Sequence, residues 1–384
     1  MKQKQILYDL TAVQENASGK RHGGGKYGEI VFNRMLERGF KPVGFYSSSR
    51  WINPEIISAA TEHGIRLYDI DKTTLDDIVE RENIDTLYSC LPDLSTINFK
   101  GCRVKVTVHG LRSFELPFDS YFWKYRSNSF RQIIKFVVER LLYMVGRRRK
   151  SVVERIEMCF GDDNISAAVV SNHTANSVKV YFPQFRNKNI PVFYSPSTSS
   201  QRPIETNVND RNYFLLVSGN RWEKNNLRAI KALDSLFSYG FLSDYRVKVT
   251  GVKTAKAYKY KIKNPEKFDF VGYVSDEELE QLYHDAYCLI YPSLNEGFGY
   301  PPLEAMHYGV PVLASSFSSI SEVTGGSVLY FNPFSIEEIM TRIVTLADDK
   351  SLYELMSRLG KERYEQITAK QKADLDKLID WIFN

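Results

Sequence analysis

The chain has 384 residues, with 51 Lys or Arg against 46 Asp or Glu, so its formal net charge is +5. This length indicates two or three domains with large cores, and 43% hydrophobic with 25% charged residues excludes a disordered or fibrous chain. The four cysteines, Cys90, Cys102, Cys159 and Cys288, lie far apart without a C-x-x-C or Cys/His cluster. A disulfide framework and a structural zinc site are therefore not indicated, and we expect reduced thiols.

Strand-like and helical runs alternate along the chain. No apolar leader precedes the first strand and no run of about 18 apolar residues occurs, so we expect a cytoplasmic protein without a membrane-spanning helix. The first half contains predicted strands at 5–11, 43–46, 86–89, 104–108 and 167–171, with helices that include 27–38 and 75–82. The second half contains predicted strands at 213–218, 245–250, 268–271, 287–291, 312–314 and 327–331, with helices at 225–237, 276–286 and 335–347. This alternation predicts parallel sheets with helices on both faces.

A proline-rich stretch interrupts the alternation. Four prolines and a serine run lie within 183–212, which indicates a linker with one short strand at 192–194. We therefore predict domains at 1–185 and 205–365, a linker at 186–204, and a C-terminal helix within 366–384 that packs back toward the N-terminal domain. Two doubly wound domains are expected to face each other across a deep cleft at the carboxyl ends of both sheets, where ligands of such sheets bind.

The most informative segment follows the predicted strand at 287–291. It runs from Glu296 to Glu304 and reads E-G-F-G-Y-P-P-L-E. Glycines let the backbone approach a ligand, and the double proline predicts the first turn of a helix, whose N–H groups and dipole suit a diphosphate or sugar hydroxyls. The two carboxylates can accept hydrogen bonds from a sugar or ribose, whereas the alternative is a capping acid and a solvated acid.

This segment resembles the signature of family 4 retaining glycosyltransferases of the GT-B fold, which reads E-G-F-G-L-P-x-L-E-A-M. The flanks at 272–279, 309–315 and 322–323 are similar to other elements of that family, and the likeness extends over about 213–350. The resemblance implies an α/β fold of two Rossmann-like domains. It also implies that Glu296 holds the hydroxyls of the donor sugar and that Glu304 holds the donor ribose. The other donor contacts implied are Gly297, Phe298, Gly299 and Val274.

Two cations, Arg221 and Lys224, follow the predicted strand at 213–218. Fixed positive charge in such a loop stabilises a leaving nucleoside diphosphate without a metal, whereas the alternative is a solvated basic loop. Lys224 with Asn225 matches the end of the family's R-x-x-x-x-K-[GN] element, but Arg221 departs from its spacing. We expect both to take part in catalysis.

A glycine-rich run lies at 23–28, ahead of the first predicted helix. It does not follow the first strand directly, as a dinucleotide-binding motif would, so a flexible loop is the alternative. The run resembles the family's G-G-I-G-R-Y loop. The resemblance implies that Gly24 and Gly25 approach the donor phosphates and that Lys26, on the acceptor side, replaces the usual arginine.

His109 ends the predicted strand at 104–108. A histidine at this end of a parallel strand can hydrogen-bond a sugar hydroxyl or carry a proton, although a purely structural role is equally expected. The segment is similar to the family's t-v-H-D-l element, with Gly110 in place of the acid, and implies a catalytic role in positioning the donor sugar. Two D-x-D sequences, at 69–71 and 374–376, are predicted to be solvated acids, and no metal site is expected.

The basic charge is concentrated in residues 121–155, which hold ten Lys or Arg and two Glu and so carry +8. Apolar residues at helical spacing precede a basic run. One interpretation is a surface that binds anionic lipid on the acceptor side, and the alternative is a core helix with a solvated end. Nucleic acid is not expected, since no binding fold accompanies the charge. The basic run consists of Arg147, Arg148, Arg149 and Lys150.

The sequence therefore predicts a retaining, metal-independent hexosyltransferase without a cofactor. Its donor would be a UDP or GDP sugar and its acceptor a glycan, free or lipid-linked, in the assembly of a bacterial cell-surface polysaccharide. The location would be cytoplasmic, with peripheral attachment to the inner face of the plasma membrane. The alternatives are another GT-B enzyme, such as a nucleotide-sugar epimerase, or a silent sugar-nucleotide binding protein.

Overall fold

The chain forms two compact α/β units. The computed structural model describes residues 4–15, 23–116, 119–125, 134, 137–138, 141, 150–197 and 211–384. The first unit comprises Met1–Leu111, Arg149–Thr198 and Thr368–Asn384, and the second comprises Arg112–Arg148 and Ser199–Ile367. Each unit is built on one six-stranded sheet.

The first sheet has the strand order β3-β2-β1-β4-β5-β6, and every pair is parallel. Its strands are β1 (Ile6–Asp9), β2 (Val43–Tyr46), β3 (Leu67–Asp69), β4 (Thr86–Ser89), β5 (Arg103–Val108) and β6 (Ile165–Val169). The helices of this unit are Gly23–Glu37, Pro54–Glu62, Leu75–Glu82, Leu94–Asn98, Lys150–Gly161 and Asn172–Tyr181, with a 3-10 turn at Pro183–Phe185.

The second sheet has the order β12-β11-β10-β7-β8-β9 and is also parallel. Its strands are β7 (Tyr213–Leu216), β8 (Arg246–Thr250), β9 (Phe268–Gly272), β10 (Cys288–Tyr291), β11 (Val312–Ser315) and β12 (Leu329–Phe331). The helices are Arg112–Glu115, Asn226–Ser238, Asp276–His284, Tyr300–His307, Ile320–Thr324 and Ile336–Asp348. The 3-10 turns are Ser120–Tyr125, Trp222–Lys224, Ala255–Ala257 and Pro265–Lys267.

In each sheet, the side on which the chain adds strands changes once. Strands are added on one side of β1, or of β7, and the chain then returns to the centre to add the rest on the other side. The points of reversal lie between β1 and β4 and between β7 and β10, and these are the positions where open α/β sheets bind ligands. The predicted doubly wound architecture of both halves is thus confirmed.

The centre of the second sheet is buried on both faces. Strands β7, β10 and β11 are buried at every position, which is why their sequences are continuous apolar runs rather than alternating ones. The second unit's core includes Phe214, Ile230, Val247, Ile290 and Leu313, each fully buried.

The prediction missed the edge strand β3. Its three residues are only half-buried, so they carry no continuous apolar run. The predicted strand at 192–194 was wrong, because Val192 makes a single bridge to Val169 and no strand. Asp69 and Asp71 are not merely solvated, since they accept hydrogen bonds from the backbone N–H groups of Ser48 and Ser49 at 3.1 and 2.8 Å.

Short polar residues set the helix starts. Ser275 accepts a hydrogen bond from the N–H of Glu278, whose carboxylate bonds back to the N–H of Ser275, and Thr74 with Asp77 forms the same reciprocal cap. These pairs satisfy first-turn donors that would otherwise lack partners. The cap formed by Ser275 explains why the helix predicted at 276–286 begins at Asp276, directly after this serine.

The final helix is longer than predicted. It runs unbroken over Lys350–Phe383, and its last part, from Thr368, belongs to the first unit. Leu378, Ile379 and Ile382 are buried as the apolar spacing predicted, but Ala373 is exposed. Asp374, predicted to be solvated, is instead buried and accepts a hydrogen bond from the N–H of Tyr194 at 3.0 Å.

The structure departs from the predicted domain limits after residue 111. The segments Arg112–Glu115 and Ser120–Tyr125 belong to the second unit, although they precede the linker in sequence. The second segment is held against the helix Asn226–Ser238 by a buried ion pair of Arg228 with Asp119 and by the Tyr121 ring, which stacks on the same guanidinium group. Among the described residues, no helix is both long enough and apolar enough to cross a membrane.

Candidate active site

The loops that follow β7 and β10 carry the predicted residues Arg221, Lys224 and Glu296 and the turn 297–299. The chain leaves β7 through Trp222–Lys224 into the helix Asn226–Ser238, and it leaves β10 through residues 292–299 into the helix Tyr300–His307. β7 and β10 are neighbours at the point of reversal, which is the position where open α/β sheets bind ligands.

Lys224 and Glu296 form a buried ion pair between these two loops. Lys224 Nζ lies 2.6 Å from Glu296 Oε1, and the two side chains are 6% and 10% exposed. Lys224 also donates to the Tyr291 hydroxyl at 2.8 Å, and that hydroxyl donates to Glu296 Oε1 at 2.6 Å. Ser293 Oγ donates to the same oxygen at 2.5 Å. The sequence pointed to Lys224 and Glu296 but not to their direct contact.

These contacts keep Glu296 ionised. Burial alone would raise its pKa, but attraction by Lys224 and hydrogen bonds from Lys224, Ser293 and Tyr291 lower it to about 2. All three side-chain donors reach Oε1. The second oxygen, Oε2, is therefore the one to which a bound hydroxyl can donate.

A serine cluster fixes the loop that carries Glu296. Ser319 Oγ shares its one proton between the carbonyl oxygens of Glu296 and Phe298, which lie 2.9 and 2.8 Å away, and Ser318 Oγ accepts from the N–H of Glu296 at 2.8 Å. Ser315 Oγ donates to the Ser293 carbonyl at 2.5 Å. Sequence reasoning missed this role, although the S-S-F-S-S run after a buried strand was a visible signal.

The helix start was predicted correctly. The helix begins at Tyr300, with prolines in its first turn and Gly299 as the N-terminal cap. Gly299 has φ of 111°, a conformation that favours glycine, so the turn requires this residue. Glu304 is half-buried one turn later, and the buried hydroxyl of Tyr283 hydrogen-bonds to it. Phe298 is buried and Gly297 is half-buried.

Replacing Gly299 by alanine is therefore expected to destabilise the protein by about 1 kcal/mol or more, because a Cβ disfavours this backbone conformation. Urea unfolding measures the effect. The matched control is Gly326→Ala, since Gly326 has open space around its Cα and no positive φ. Equal stability of the two variants would contradict the requirement for glycine in the turn.

Arg221 lies beside Lys224 and is paired with Glu223. Its Nε and Nη2 lie 2.9 and 2.8 Å from Glu223 Oε1, and Arg112 Nη1 lies 3.2 Å from the same oxygen. Burial alone would raise the pKa of Glu223, but the two guanidinium groups hold it below its usual value.

Val274 is half-buried after β9, just before the cap of the helix Asp276–His284.

His109 lies in the first unit, directly after β5. Its Nε2 is 2.9 Å from the carbonyl oxygen of Cys90, and since a carbonyl can only accept, Nε2 carries a proton. In the neutral ring Nδ1 is then the acceptor. The ring lines a cavity of about 280 Å³ together with Thr107, Gly110 and Arg155. The cavity is also lined by Leu91, Pro92, Val108, Ile156 and Cys159, so most of its lining is apolar.

The glycine-rich run does not form a loop. Gly23–Glu37 is helical, so Gly24, Gly25 and Lys26 lie in its first turn, which corrects the prediction. Side chains at two of the glycines would collide with residues that follow β1 and β4: a Cβ on Gly24 would overlap Leu91, and one on Gly28 would overlap Val13 and Cys90. Close packing of the helix therefore explains part of this glycine content.

The basic run 147–149 lies outside the described residues. Lys150 begins the helix Lys150–Gly161 and is exposed, with Glu154 3.5 Å away. Three predicted apolar positions of this region, Ile134, Val137 and Leu141, are exposed rather than buried. At these three positions the alternative of a buried apolar face is therefore not supported.

No group of three or more His, Cys, Asp or Glu residues in the described part of the chain is arranged to hold a metal ion. The four cysteines are free, and Cys90, Cys159 and Cys288 are buried.

In comparisons with known proteins, the part of the chain that carries Lys224 and Glu296 matches a family profile. Residues 197–366 match the family profile of glycosyl transferases group 1. O-antigen chain mannosyltransferase B of Escherichia coli is 39% identical over 99 residues, which are 26% of either chain. O-antigen chain mannosyltransferase RfbU of Salmonella typhimurium is 29% identical over 233 residues, 59% of this chain and 56% of that one. The chain thus spans just over half of the second relative's length and about a quarter of the first's.

Among solved structures, a TarM variant of S. aureus in complex with Fondaparinux, alpha-GlcNAc-glycerol and UDP is similar. The TM-score is 0.69 at 12% sequence identity, covering 99% of this chain and 100% of that chain. At this identity the likeness shows the fold alone. The fold is therefore that of the GT-B glycosyltransferases, with two Rossmann-like domains, as the resemblance implied.

Proposed function

We propose that the chain is a family 4 retaining glycosyltransferase that moves a hexose from a nucleoside diphosphate sugar to a hydroxyl of a glycan in polysaccharide assembly. The buried pair of Lys224 and Glu296 carries this proposal. It lies at the point of reversal of the second sheet, inside the region that matches glycosyl transferases group 1.

Lys224 and Glu296 would have complementary roles in the reaction. When the bond between the sugar and the diphosphate breaks, negative charge grows on the leaving phosphate oxygen, and a buried cation stabilises it strongly. Lys224 supplies that cation, and Arg221 supplies a second through Nη1, because Nε and Nη2 are held by Glu223. These cations support a reaction that needs no metal.

Glu296 is suited to orient the sugar and poorly suited to attack it. A carboxylate with a pKa of about 2 and three hydrogen bonds on one oxygen is a weak base and a weak nucleophile. We therefore assign it to the donor hydroxyls, through Oε2. The acceptor oxygen would bond to the sugar carbon on the face that the diphosphate leaves, and its proton would pass to a diphosphate oxygen, which retains the configuration.

Other residues complete the proposed site. Glu304, positioned by Tyr283, would accept hydrogen bonds from the ribose hydroxyls. Backbone groups of the 297–299 turn would contact the sugar and phosphate, and Val274 would contact the base.

The relatives suggest the transferred sugar. Both bacterial proteins described above are named as O-antigen mannosyltransferases, so mannose is the first candidate. The similar TarM structure contains UDP, and we therefore propose a donor of the UDP or GDP type. The acceptor is proposed to be a glycan on a lipid carrier, on the cytoplasmic side of the membrane.

A donor screen tests the proposal. Thermal-shift measurements with UDP, GDP, ADP and dTDP sugars identify the donor that stabilises the folded chain. Radiolabelled donor with glycan acceptors then reports transfer, NMR of the product reports the anomeric configuration, and EDTA tests the need for a metal. Binding without transfer to any acceptor would favour a silent binding protein, and loss of activity with EDTA would contradict metal independence.

We further propose that the part of residues 121–155 that follows Tyr125 attaches the enzyme to an anionic membrane, supported by the charge of +8 over 121–155 and by the exposed Ile134, Val137 and Leu141. At about 1 kcal/mol per cation near the surface, neutralising residues 147–150 to glutamine is expected to abolish flotation with phosphatidylserine vesicles. Neutral vesicles provide the control. Equal flotation of the variant and the parent would reject the attachment.

A further inference from the structure

A buried ion pair joins the segment Asp119–Tyr125 to the donor-site helix Asn226–Ser238. Arg228 Nη1 lies 2.6 Å from Asp119 Oδ2, and Nη2 lies 3.0 Å from Oδ1. The two side chains are 8% and 5% exposed. The Tyr121 ring stacks on the guanidinium at 3.7 Å. Two donors thus meet two acceptors in a planar, desolvated arrangement, which fixes the direction of the arginine.

Through Asn225, Arg228 also connects Asp119 to the loops of the site. Its Nη1 also donates to Asn225 Oδ1 at 2.8 Å. Asn225 Nδ2 donates in turn to the carbonyl oxygens of Pro292 and Pro333 at 3.1 and 2.6 Å. Asn225 directly follows Lys224, and Pro292 begins the loop that carries Glu296. A continuous chain of buried hydrogen bonds therefore runs from Asp119 to Asn225 and Pro292, which lie in the two loops that carry the central ion pair.

Three further contacts of the same region end close to the site. Arg112 Nη1 lies 3.2 Å from Glu223, and Asn295 donates to Glu115 at 2.5 Å. Glu223 and Asn295 each directly precede a member of the central ion pair. The Tyr125 hydroxyl accepts a hydrogen bond from the N–H of Leu227 at 2.7 Å, in the first turn of the donor-site helix.

Stability alone does not account for this arrangement. A buried ion pair usually contributes no more to stability than well-packed apolar side chains of the same volume, because desolvating both charges is costly. What such a pair adds is a defined geometry. Here the geometry leads to the two loops on which the proposed reaction depends.

We propose that Asp119 is a positioning residue of the donor site, acting through Arg228 and Asn225 on the loops that carry Lys224 and Glu296. This inference rests on the proposed function for its purpose, but the constraint itself exists in the ligand-free protein. It assigns a donor-site task to a segment that precedes the linker in sequence.

The test is Asp119→Asn, which keeps the shape and removes the charge. Hydrogen exchange of the ligand-free protein is measured over peptides 217–227 and 292–299, and the affinity for UDP and GDP is measured by calorimetry. We expect severalfold faster exchange in both peptides and roughly 10-fold weaker binding of the nucleotide that the parent protein binds.

The matched control is Asp269→Asn. Asp269 forms a two-donor ion pair with Arg246 in the same unit, with bonds of 2.9 and 3.1 Å, but at the amino ends of β8 and β9. This variant is expected to match the parent protein in both measurements. If Asp119→Asn does not fold, Arg228→Lys replaces it, since lysine lacks the planar pair of nitrogens that meets both Asp119 oxygens.

The outcomes separate the two proposals. Unchanged exchange in both peptides overturns the positioning role, whatever the protein binds. Faster exchange with unchanged nucleotide affinity also overturns it, because the loops would then be fixed without consequence for the donor. Failure of the parent protein to bind any nucleotide or nucleotide sugar overturns the proposed function, while the exchange result still decides whether Asp119 constrains the loops.

Discussion

Replacing Glu296 by glutamine is expected to lower kcat for sugar transfer on the order of 100-fold or more, while the protein remains folded. The amide can still accept hydrogen bonds from Tyr291 and Ser293, but it cannot balance the charge of Lys224, which is buried beside it. The donor sugar also loses its charged acceptor, and preorganised charge is among the largest contributions to catalysis. Initial rates at saturating donor measure the effect.

The control for this variant is Glu354→Gln. Glu354 faces Lys350 at 3.9 Å in an ion pair whose side chains are 67% and 89% exposed, so losing its charge changes little. Glu354→Gln is expected to retain the parent kcat. Circular dichroism and thermal unfolding of Glu296→Gln must show a cooperative transition. A folded Glu296→Gln variant with the kcat of the parent protein would remove Glu296 from the proposed site.

Replacing Lys224 by methionine is expected to have a comparable effect on kcat and a larger one on stability. The leaving diphosphate loses its buried cation, and Glu296 becomes an uncompensated buried charge. Breaking a buried pair in this way costs roughly 3–5 kcal/mol. Urea unfolding measures the loss, and Lys350→Met provides the exposed control.

This variant also changes the pH dependence in a defined direction. In the parent protein the folded-state pKa of Glu296 is about 2, below its ordinary value of 4.5. Its ionisation therefore stabilises the fold fully above pH 4.5, and the contribution is lost as the pH falls from 4.5 toward 2. Without Lys224, burial is the largest remaining influence and raises the pKa of Glu296. A carboxyl group whose folded-state pKa lies above its unfolded value costs stability once it ionises, so the destabilisation of this variant should be smallest at acid pH and should grow as the pH rises through the raised pKa.

Combining the two substitutions measures the interaction between Lys224 and Glu296 separately from the contribution of each residue. If Lys224 and Glu296 act as one unit, Lys224→Met with Glu296→Gln should be less destabilised than the sum of the single variants, because neither charge is left alone. Simple additivity of the two losses would show that the residues act independently and would contradict the role of the ion pair.

Local patterns were sufficient for much of the second unit. The apolar run of β10 predicted a buried strand because both faces of that strand are covered. The start of the helix at Tyr300 was predictable because proline in the first turn and glycine before it are local requirements. The same reasoning failed for β3, whose half-buried residues leave no period to detect.

The partners of the site residues were not predictable from local patterns. Tyr291 ends an apolar strand, and nothing in its neighbourhood in sequence shows that its hydroxyl joins Lys224 to Glu296. The glycines at 23–28 suggested a phosphate loop, but they lie in a helix that packs against residues following β4. The role of Asp119 was not predictable for the same reason, since its partner Arg228 lies 109 residues away in the sequence.

By itself the sequence determined the alternation of strands and helices, the fold class, and the identity of Lys224 and Glu296 as candidate residues, because periodicity, turn chemistry and short motifs act within a few residues. Only the tertiary structure decided that these two residues form one buried ion pair and that Asp119 is linked to it. Strand order and long-range contacts bring together residues far apart in the chain, and the energy of a buried charge depends on which partners that folding supplies.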